Sequence, residues 1–410
     1  MGKFIRQKLT YGLLVLWGVV TVVFFLFNLS PADPVRNLVG ENAPEEVVQN
    51  IRRKLDLDLP LLQRYVLYLN DLSPLSIHNP SNAESRIYFD PALQKGWLIH
   101  LSENSAVAIK SPYLKRSFIS DKSVSEILGS VIPGTVVLAV LSIALALALG
   151  LWLGIVAAQN KDTFFDRFIL IVSALGMSGP SFFVAILVAY LGAILWKDQI
   201  AFPYASAVLV LMALVVYFLP KWKFIQPAWL LIAALALWAL SPFVPQPMIF
   251  LPGTGLNMTG SLYSVDVWQG EYFDPVNMIL PIVTLMIRPL AVIVQLTRSS
   301  MLEVMSQDYI RTARAKGLSE HRVIYGHALR NALNPVVTAV SGWFSSLLAG
   351  AVFVEFVFGW KGLGQEMFTA IEKQDLPIVM GGVIIIAAAF VVINLLVDLI
   401  YGWIDPRVRI

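Results

Sequence analysis

A backbone placed in lipid has two stable solutions, helices and closed barrels, because an unpaired N–H or C=O group finds no water to bond there. In this 410-residue chain the deciding feature is a set of apolar runs close to the roughly 20 residues that a helix needs to cross a hydrocarbon core of about 30 Å. Six are clear, at 11–28, 131–158, 168–195, 276–297, 333–355 and 378–403. Two shorter runs, 203–219 and 227–243, flank Lys221-Trp222-Lys223 and read as a hairpin. Composition points the same way. The chain is 57% hydrophobic and 14% charged, whereas soluble domains run at roughly 45–50% apolar and about 25% charged. A chain of this size cannot hide that much apolar surface in a water-soluble core. The expectation is an all-α polytopic membrane protein, with a six-span core, a two-helix hairpin insertion and one loop domain.

Charge sets the orientation. Lys3, Arg6 and Lys8 precede the first run, which is too long for a cleaved signal peptide and lacks a small-x-small cleavage site, so it reads as a retained anchor with its N-terminus inside. The connections this choice places inside, including both termini, hold 15 Lys and Arg; the short outside connections hold three, Lys197, Lys361 and Lys373. That asymmetry is what the positive-inside rule requires. The long segment 29–130 carries 11 basic and 12 acidic residues and a helical stretch at 43–55, and reads as an extracytoplasmic domain. The expected divisions are 1–30, an anchor helix; 31–130, the loop domain; and 131–410, the transmembrane domain. A net charge of +3, with basic residues sorted by membrane side, argues against a nucleic-acid partner. With no cysteine there is no disulfide, Cys-ligated metal or thiol catalysis. Four histidines without a His-Glu-x-x-His pair give no expected metal site and no expected catalytic residue.

The most informative polar stretch is 298–334. Asp308 is placed to cap a short helix that Gly317 ends, and Ser319 to cap a second. In that second helix Val323, Ile324, His327 and Ala328 fall on one face, with Arg322 and Arg330 elsewhere. Such an element either offers a knob to a partner or is a basic loop held at lipid headgroups.

Tyr309-Ile310-Arg311-Thr312-Ala313-Arg314-Ala315-Lys316-Gly317-Leu318, followed by His327-Ala328-Leu329-Arg330-Asn331-Ala332-Leu333-Asn334-Pro335, resembles the cytoplasmic coupling motif of the permease subunits of dipeptide- and oligopeptide-type ABC importers. The generic motif is Glu-Ala-Ala, three residues, then Gly; Arg311-Thr312-Ala313 before Gly317 is similar to the peptide-importer variant. The resemblance extends along the chain. It includes Pro31-Ala32-Asp33-Pro34, Gln63-Arg64-Tyr65, Leu296-Thr297-Arg298-Ser299-Ser300-Met301-Leu302, Val354-Glu355-Phe356-Val357-Phe358, Gly362-Leu363-Gly364, Asn394-Leu395-Leu396-Val397-Asp398 and Asp405-Pro406-Arg407-Val408-Arg409. Leu114-Lys115-Arg116-Ser117 stands where the family usually has Leu-Gly-x-Ser. Two stretches depart from it: roughly 74–110 looks like an insertion in the loop domain, and the 203–243 hairpin adds to the core.

The resemblance implies an ATP-driven importer at the bacterial inner membrane, both termini cytoplasmic, in which this chain is half of the path for peptides, nickel or similar small solutes. Its implied partners are a second homologous permease, ABC ATPase subunits, an extracytoplasmic solute-binding protein and membrane lipid. The chain carries no Gly-x-x-x-x-Gly-Lys-Ser/Thr phosphate loop, so ATP and Mg are expected on the ATPase subunits, with no cofactor here and no enzyme activity of its own. In the coupling segment Gly317 is the implied turn, Ala313 a close-contact position, and Arg311, Arg314, Lys316 and Arg330 rim charges or lipid anchors, with His327 beside them.

Outside that segment, Arg288 lies mid-run before Pro289. An arginine at that depth costs at least about 2.5–3.5 kcal/mol unless it faces a cavity or a partner. It either meets a peptide carboxylate on the translocation path or bonds carbonyls freed by the proline. Glu355, at the end of its run, is a gate or docking contact or an interfacial carboxylate. Asn394 and Asp398, one turn apart, suit hydrogen bonding between helices. Two other classes compete. An intramembrane enzyme needs a nucleophile and base at one depth, and a secondary transporter two related halves or paired broken helices; the sequence displays neither.

Overall fold

The computed structural model describes residues 2–29, 34–40, 43–82, 85–91, 94, 96–218, 227–240, 248–268 and 270–404. In chain order it runs α1 (Gly2–Asn28), α2 (Pro34–Val39), α3 (Glu45–Lys54), α4 (Leu61–Leu72), β1 (Leu75–His78), β2 (Gly96–Ser102), β3 (Ser105–Lys110), α5 (Val124–Gln159), α6 (Phe164–Ser178) and α7 (Ser181–Ala189). Then follow β4 (Gln199–Pro203), α8 (Tyr204–Phe218), α9 (Pro227–Leu240), β5 (Met248–Pro252), β6 (Tyr263–Asp266), β7 (Gly270–Phe273) and α10 (Ile279–Met305). The last elements are α11 (Asp308–Ala315), α12 (Leu329–Gly350), α13 (Val352–Val357), α14 (Leu363–Glu372) and α15 (Leu376–Ile404). Helices carry the fold, and these strands form three small antiparallel sheets between them.

Among the described residues four helical stretches are long and apolar enough to cross a membrane: Arg6–Asn28, Val124–Gln159, Pro275–Met305 and Leu376–Val397. The run 168–195 is not one straight helix. Pro180 forces Gly179 into an extended conformation (ψ 135°), as a residue before proline prefers, and the two halves meet at 107°. The run 333–355 also divides, at Ala351, and α12 carries Arg330, Asn331 and Asn334 in its first two turns. In the hairpin the described parts of α8 and α9 have 15 and 14 residues. Lys221-Trp222-Lys223 at its tip, residues 241–243, and the motif residues Pro31 to Asp33 and Asp405 to Arg409 lie outside the described residues.

The chain forms two compact units. The first comprises residues 1–136, 348–352 and 361–410. Here α1 lies along α15 so closely that a Cβ on Gly12 would sit 2.6 Å from Val391 Cγ1. The start of α5 packs Val124 and Leu128 against Leu363 and Met367 of α14 and Ile378 and Val379 of α15, and Thr135 Oγ1 accepts the Leu363 N–H at 2.7 Å. The 74–110 stretch folds largely as a three-stranded sheet in the order β1-β3-β2. After it, Lys115 adopts φ +64°, a left-handed conformation that suits glycine better than lysine. Two residues on, Ser117 Oγ donates to Asp375 Oδ2 at 2.5 Å and the Phe118 N–H to Oδ1 at 3.1 Å, tying this loop to the residue before α15.

The second unit comprises 137–347 and 353–360. Its hub is α10. Along α5, Gly150 and Gly154 let the two backbones meet: a Cβ on either would lie 2.6 Å from Ile293 Cγ2 or 2.5 Å from Thr297 Cβ. This is the small-x-x-x-small spacing that brings membrane helices together. Gly176 of α6 and Gly192, in the π-helical turn Tyr190–Leu195 after α7, similarly face Ile287 and Leu280. The α8–α9 hairpin is bracketed by the β4–β5 ribbon, whose last pair before the hairpin is Pro203 with Met248.

Candidate functional site

The segment after α10 is compact. Ser306 ends α10, its hydroxyl donating to Glu303 O at 2.7 Å, and α11 starts after Gln307. Asp308 is therefore the first residue of α11 and not its cap, and serves by placing a carboxylate where the helix dipole favours one. At the other end Gly317 has φ +77°. Its N–H bonds to Arg314 O at 2.9 Å and the Leu318 N–H to Ala313 O at 3.4 Å, the two bonds of a Schellman stop. Arg314 and Glu320 pair across the outside of this turn, with Nε 2.8 Å from Oε1.

The second expected short helix is not separate. Ser319 contributes its carbonyl to the Val323 N–H at 3.0 Å, and a π-helical turn, Arg322–Ala328, runs straight into α12. The wider i→i+5 turn changes the expected face: Val323, Ile324 and Ala328 are buried, while His327 is exposed. The buried three join Ile310, Ala313 and Ala332 in packing on Met301 of α10 and on Ile155 and Ala158 at the end of α5. Tyr309 in α11 accepts a hydrogen bond at its hydroxyl from Asn331 Nδ2 at 2.7 Å. The elbow is thus clamped to the bundle by its own apolar face. What it presents outward is Arg311, Arg314, Lys316, Arg322 and Arg330, with the acids Asp308 and Glu320 beside Arg311 and Arg314, and with His327 and a His321–Tyr325 ring pair 4.6 Å apart.

Of the residues singled out from the sequence, Arg311, Lys316, Gly317, His327 and Arg330 share this exposed surface, whereas Ala313 lies in the packed layer beneath it. Arg288 is exposed on α10, with its guanidinium carbon 5.9 Å from the centroid of the Trp343 ring of α12, within cation–π range. Glu355 is fully buried in α13 rather than set in a wet interface. Asn394 donates to Phe390 O of its own helix at 2.9 Å, an i−4 acceptor within reach at mid-helix, while the Asp398 side chain lies outside the described residues. Among the described residues no cluster of His, Asp or Glu converges to hold a metal ion.

One feature of the site escaped sequence reasoning. Arg298 of α10 donates from Nε and Nη2 to both carboxylate oxygens of Asp166, at 2.5 and 2.7 Å. Asp166 is buried in the first turn of α6. The same carboxylate accepts the Asp162 N–H at 2.9 Å, and Thr163 Oγ1 caps the helix by accepting the Asp166 N–H. The local signal was present: Thr163-x-x-Asp166 is the spacing of a capping box. Its partner, 132 residues away, has no local signature.

The family described as binding-protein-dependent transport system inner membrane component matches residues 150–410, and its N-terminal counterpart matches residues 1–78. The dipeptide transport system permease protein DppB of Escherichia coli K12 is 30% identical over 414 residues, covering 100% of this chain and 99% of that protein. The di/tripeptide transport system permease protein DppB of Pseudomonas aeruginosa is 30% identical over 412 residues, with the same coverage. A putative peptide transport system permease protein of Brucella abortus is 31% identical over 412 residues, again covering 100% and 99%. With a family model matched over residues 150–410 and relatives matched along the whole chain, this chain belongs to the inner-membrane components of binding-protein-dependent transport systems, the permease subunits of ABC importers.

Proposed function

We propose that this permease is one of two homologous subunits that together line the path of a peptide importer, with both termini in the cytoplasm and residues 31–130 outside it. Residues 131–410 form the transport domain, 203–243 an added hairpin and 298–334 the contact with the ATPase. ATP and Mg belong to separate ATPase subunits, and a solute-binding protein delivers substrate from outside. Peptide as the cargo rests on the named functions of the relatives.

The observation that carries this reading is the clamped elbow. Its apolar face is spent on α5 and α10, and its C-terminal arm is continuous with α12. A push on the cationic outer face therefore moves the ends of these helices as one body, the kind of rigid shift that alternating access needs. Arg288, mid-length on α10, is the candidate partner for a peptide carboxylate on the path.

Gly317→Val tests the coupling. Valine strains the left-handed turn without meeting a neighbour, since nothing lies within 4 Å of a Cβ there. The expected result is a transporter that inserts and hydrolyses ATP but loses substrate uptake. Unchanged uptake would show that the elbow does not transmit the ATPase motion.

A further inference from the structure

The three-stranded sheet of the first unit is inside out for a water-facing loop. Its inner face carries Ser76, His78, Ala106, Ala108 and Lys110, buried on β1 and β3, with Leu98 half-buried and His100 exposed on β2, while its other face presents Leu75, Ile77, Trp97, Ile99 and Ile109, with Leu101 at the adjoining bulge. All six are exposed, Trp97 by 82% and Leu101 by 70%. Register makes them one patch: Leu75, Ile109 and Trp97 line up across the three strands, and Ile77 and Ile99 flank Val107 in the next outward row. An antiparallel sheet with one face in water puts its polar residues on that face; here the order is reversed.

Depth identifies what covers the patch. β1 follows α4 after only Ser73 and Pro74, and Asn70 of α4 holds β1 by bonds to Ile77 N and O at 2.9 and 3.0 Å. α4 in turn lies against the last turns of the spanning helix α1. Tyr65 shares a hydrogen bond with Thr21 at 2.6 Å, and the rings of Phe24 and Phe25 meet Tyr65 and Tyr68. Thr21 lies seven residues before the end of α1, about 10 Å along a helix that rises 1.5 Å per residue. At that level α1 still exposes Val22 and Leu26 by 65% each. The root of the sheet is therefore at the membrane boundary, not out in solution.

We propose that the outward face of the β1-β3-β2 sheet is a membrane-interface anchor, bedding the loop between α1 and α5 into the leaflet at the C-terminal end of α1. A dissociating protein partner fits less well, because transient interfaces have a polar rim and average surface composition, and these six side chains include no charged group. β2 is an edge strand, so its outer backbone groups need water or headgroups. The anchor thus sits about 5–10 Å deep, at the headgroup–acyl boundary, where tryptophan is at home.

The chain has no cysteine, so with cysteine-free partner subunits a single nitroxide label reports one site. Labels at Ile77→Cys, Ile99→Cys and Leu101→Cys, with Glu46→Cys on α3 as the aqueous control, are read in the assembled transporter in lipid nanodiscs without solute-binding protein. The proposal expects high accessibility to oxygen and low accessibility to a water-soluble nickel chelate at the three sheet positions, with the reverse at 46. Nickel access at the sheet equal to the control, or protection appearing only when solute-binding protein is added, would overturn it. So would exclusion of both probes, the signature of burial against a second permease. Three positions are read so that one misfolded variant does not decide the outcome.

Discussion

Single residues set the tolerances of the elbow proposed to couple this chain to its ATPase. At Gly317 an L side chain in the left-handed region costs about 1–2 kcal/mol, and more for a β-branched one, so Gly317→Ala is expected to weaken uptake less than Gly317→Val. Where α6 meets α10, the Asp166–Arg298 pair joins a carboxylate with 2% of its side chain exposed to a guanidinium with 19%. Removing one partner of such a buried pair costs about 3–5 kcal/mol, whereas replacing both with apolar groups of similar volume is far milder. Thermal unfolding of the solubilised protein should therefore rank Asp166→Asn well below wild type, with Asp166→Leu/Arg298→Met between them. In the loop domain, His78 is buried, its ring nitrogens meeting Ser76 Oγ at 2.9 Å and Ile87 O at 3.1 Å. Burial holds its imidazole below the ordinary range. A depressed folded-state pKa means stability present above the unfolded value of about 6.5 and lost as pH falls through the folded one. Protection factors of the β1 and β3 amides, taken against the intrinsic exchange rate at each pH, should fall on acidification below about 6.5, and a His78→Gln variant should lose much of this pH dependence.

At the scale of elements, close helix contact depends on a few glycines. A Cβ on Gly154 would lie 2.5 Å from Thr297 Cβ and 2.9 Å from Val294 O. The second of these is backbone and cannot rotate away. Gly154→Leu is expected to push α5 off α10 and to cost at least the 1–3 kcal/mol or so of an overpacked core, read as a lowered unfolding temperature. An equivalent change at Gly342, where nothing lies within 4 Å, should cost much less. The elbow follows the same logic. α11 is only eight residues long, too short to persist alone in water, and is held by Ile310 and Ala313 in the packed layer.

For the whole molecule, the β4–β5 ribbon makes the α8–α9 hairpin separable. Pro203 and Met248 are already paired, so joining them through an Asn-Gly turn in place of 204–247 should leave a chain that inserts and unfolds at nearly the wild-type temperature. A large drop would make the hairpin part of the core. The sequence by itself determined that the chain enters lipid as helices, and it located the polar segment and its glycine stop. Those properties follow from apolar run length and backbone preference, which act locally. Tertiary structure alone decided that Val323, Ile324 and Ala328 turn inward, that Asp166 finds Arg298, and that the sheet at 74–110 turns its apolar side out. The period of a pattern tells which residues share a face, as with Val323 and Ile324. Whether that face meets the chain's own core, lipid or a partner depends on contacts between residues far apart in the sequence, and only the folded chain supplies them.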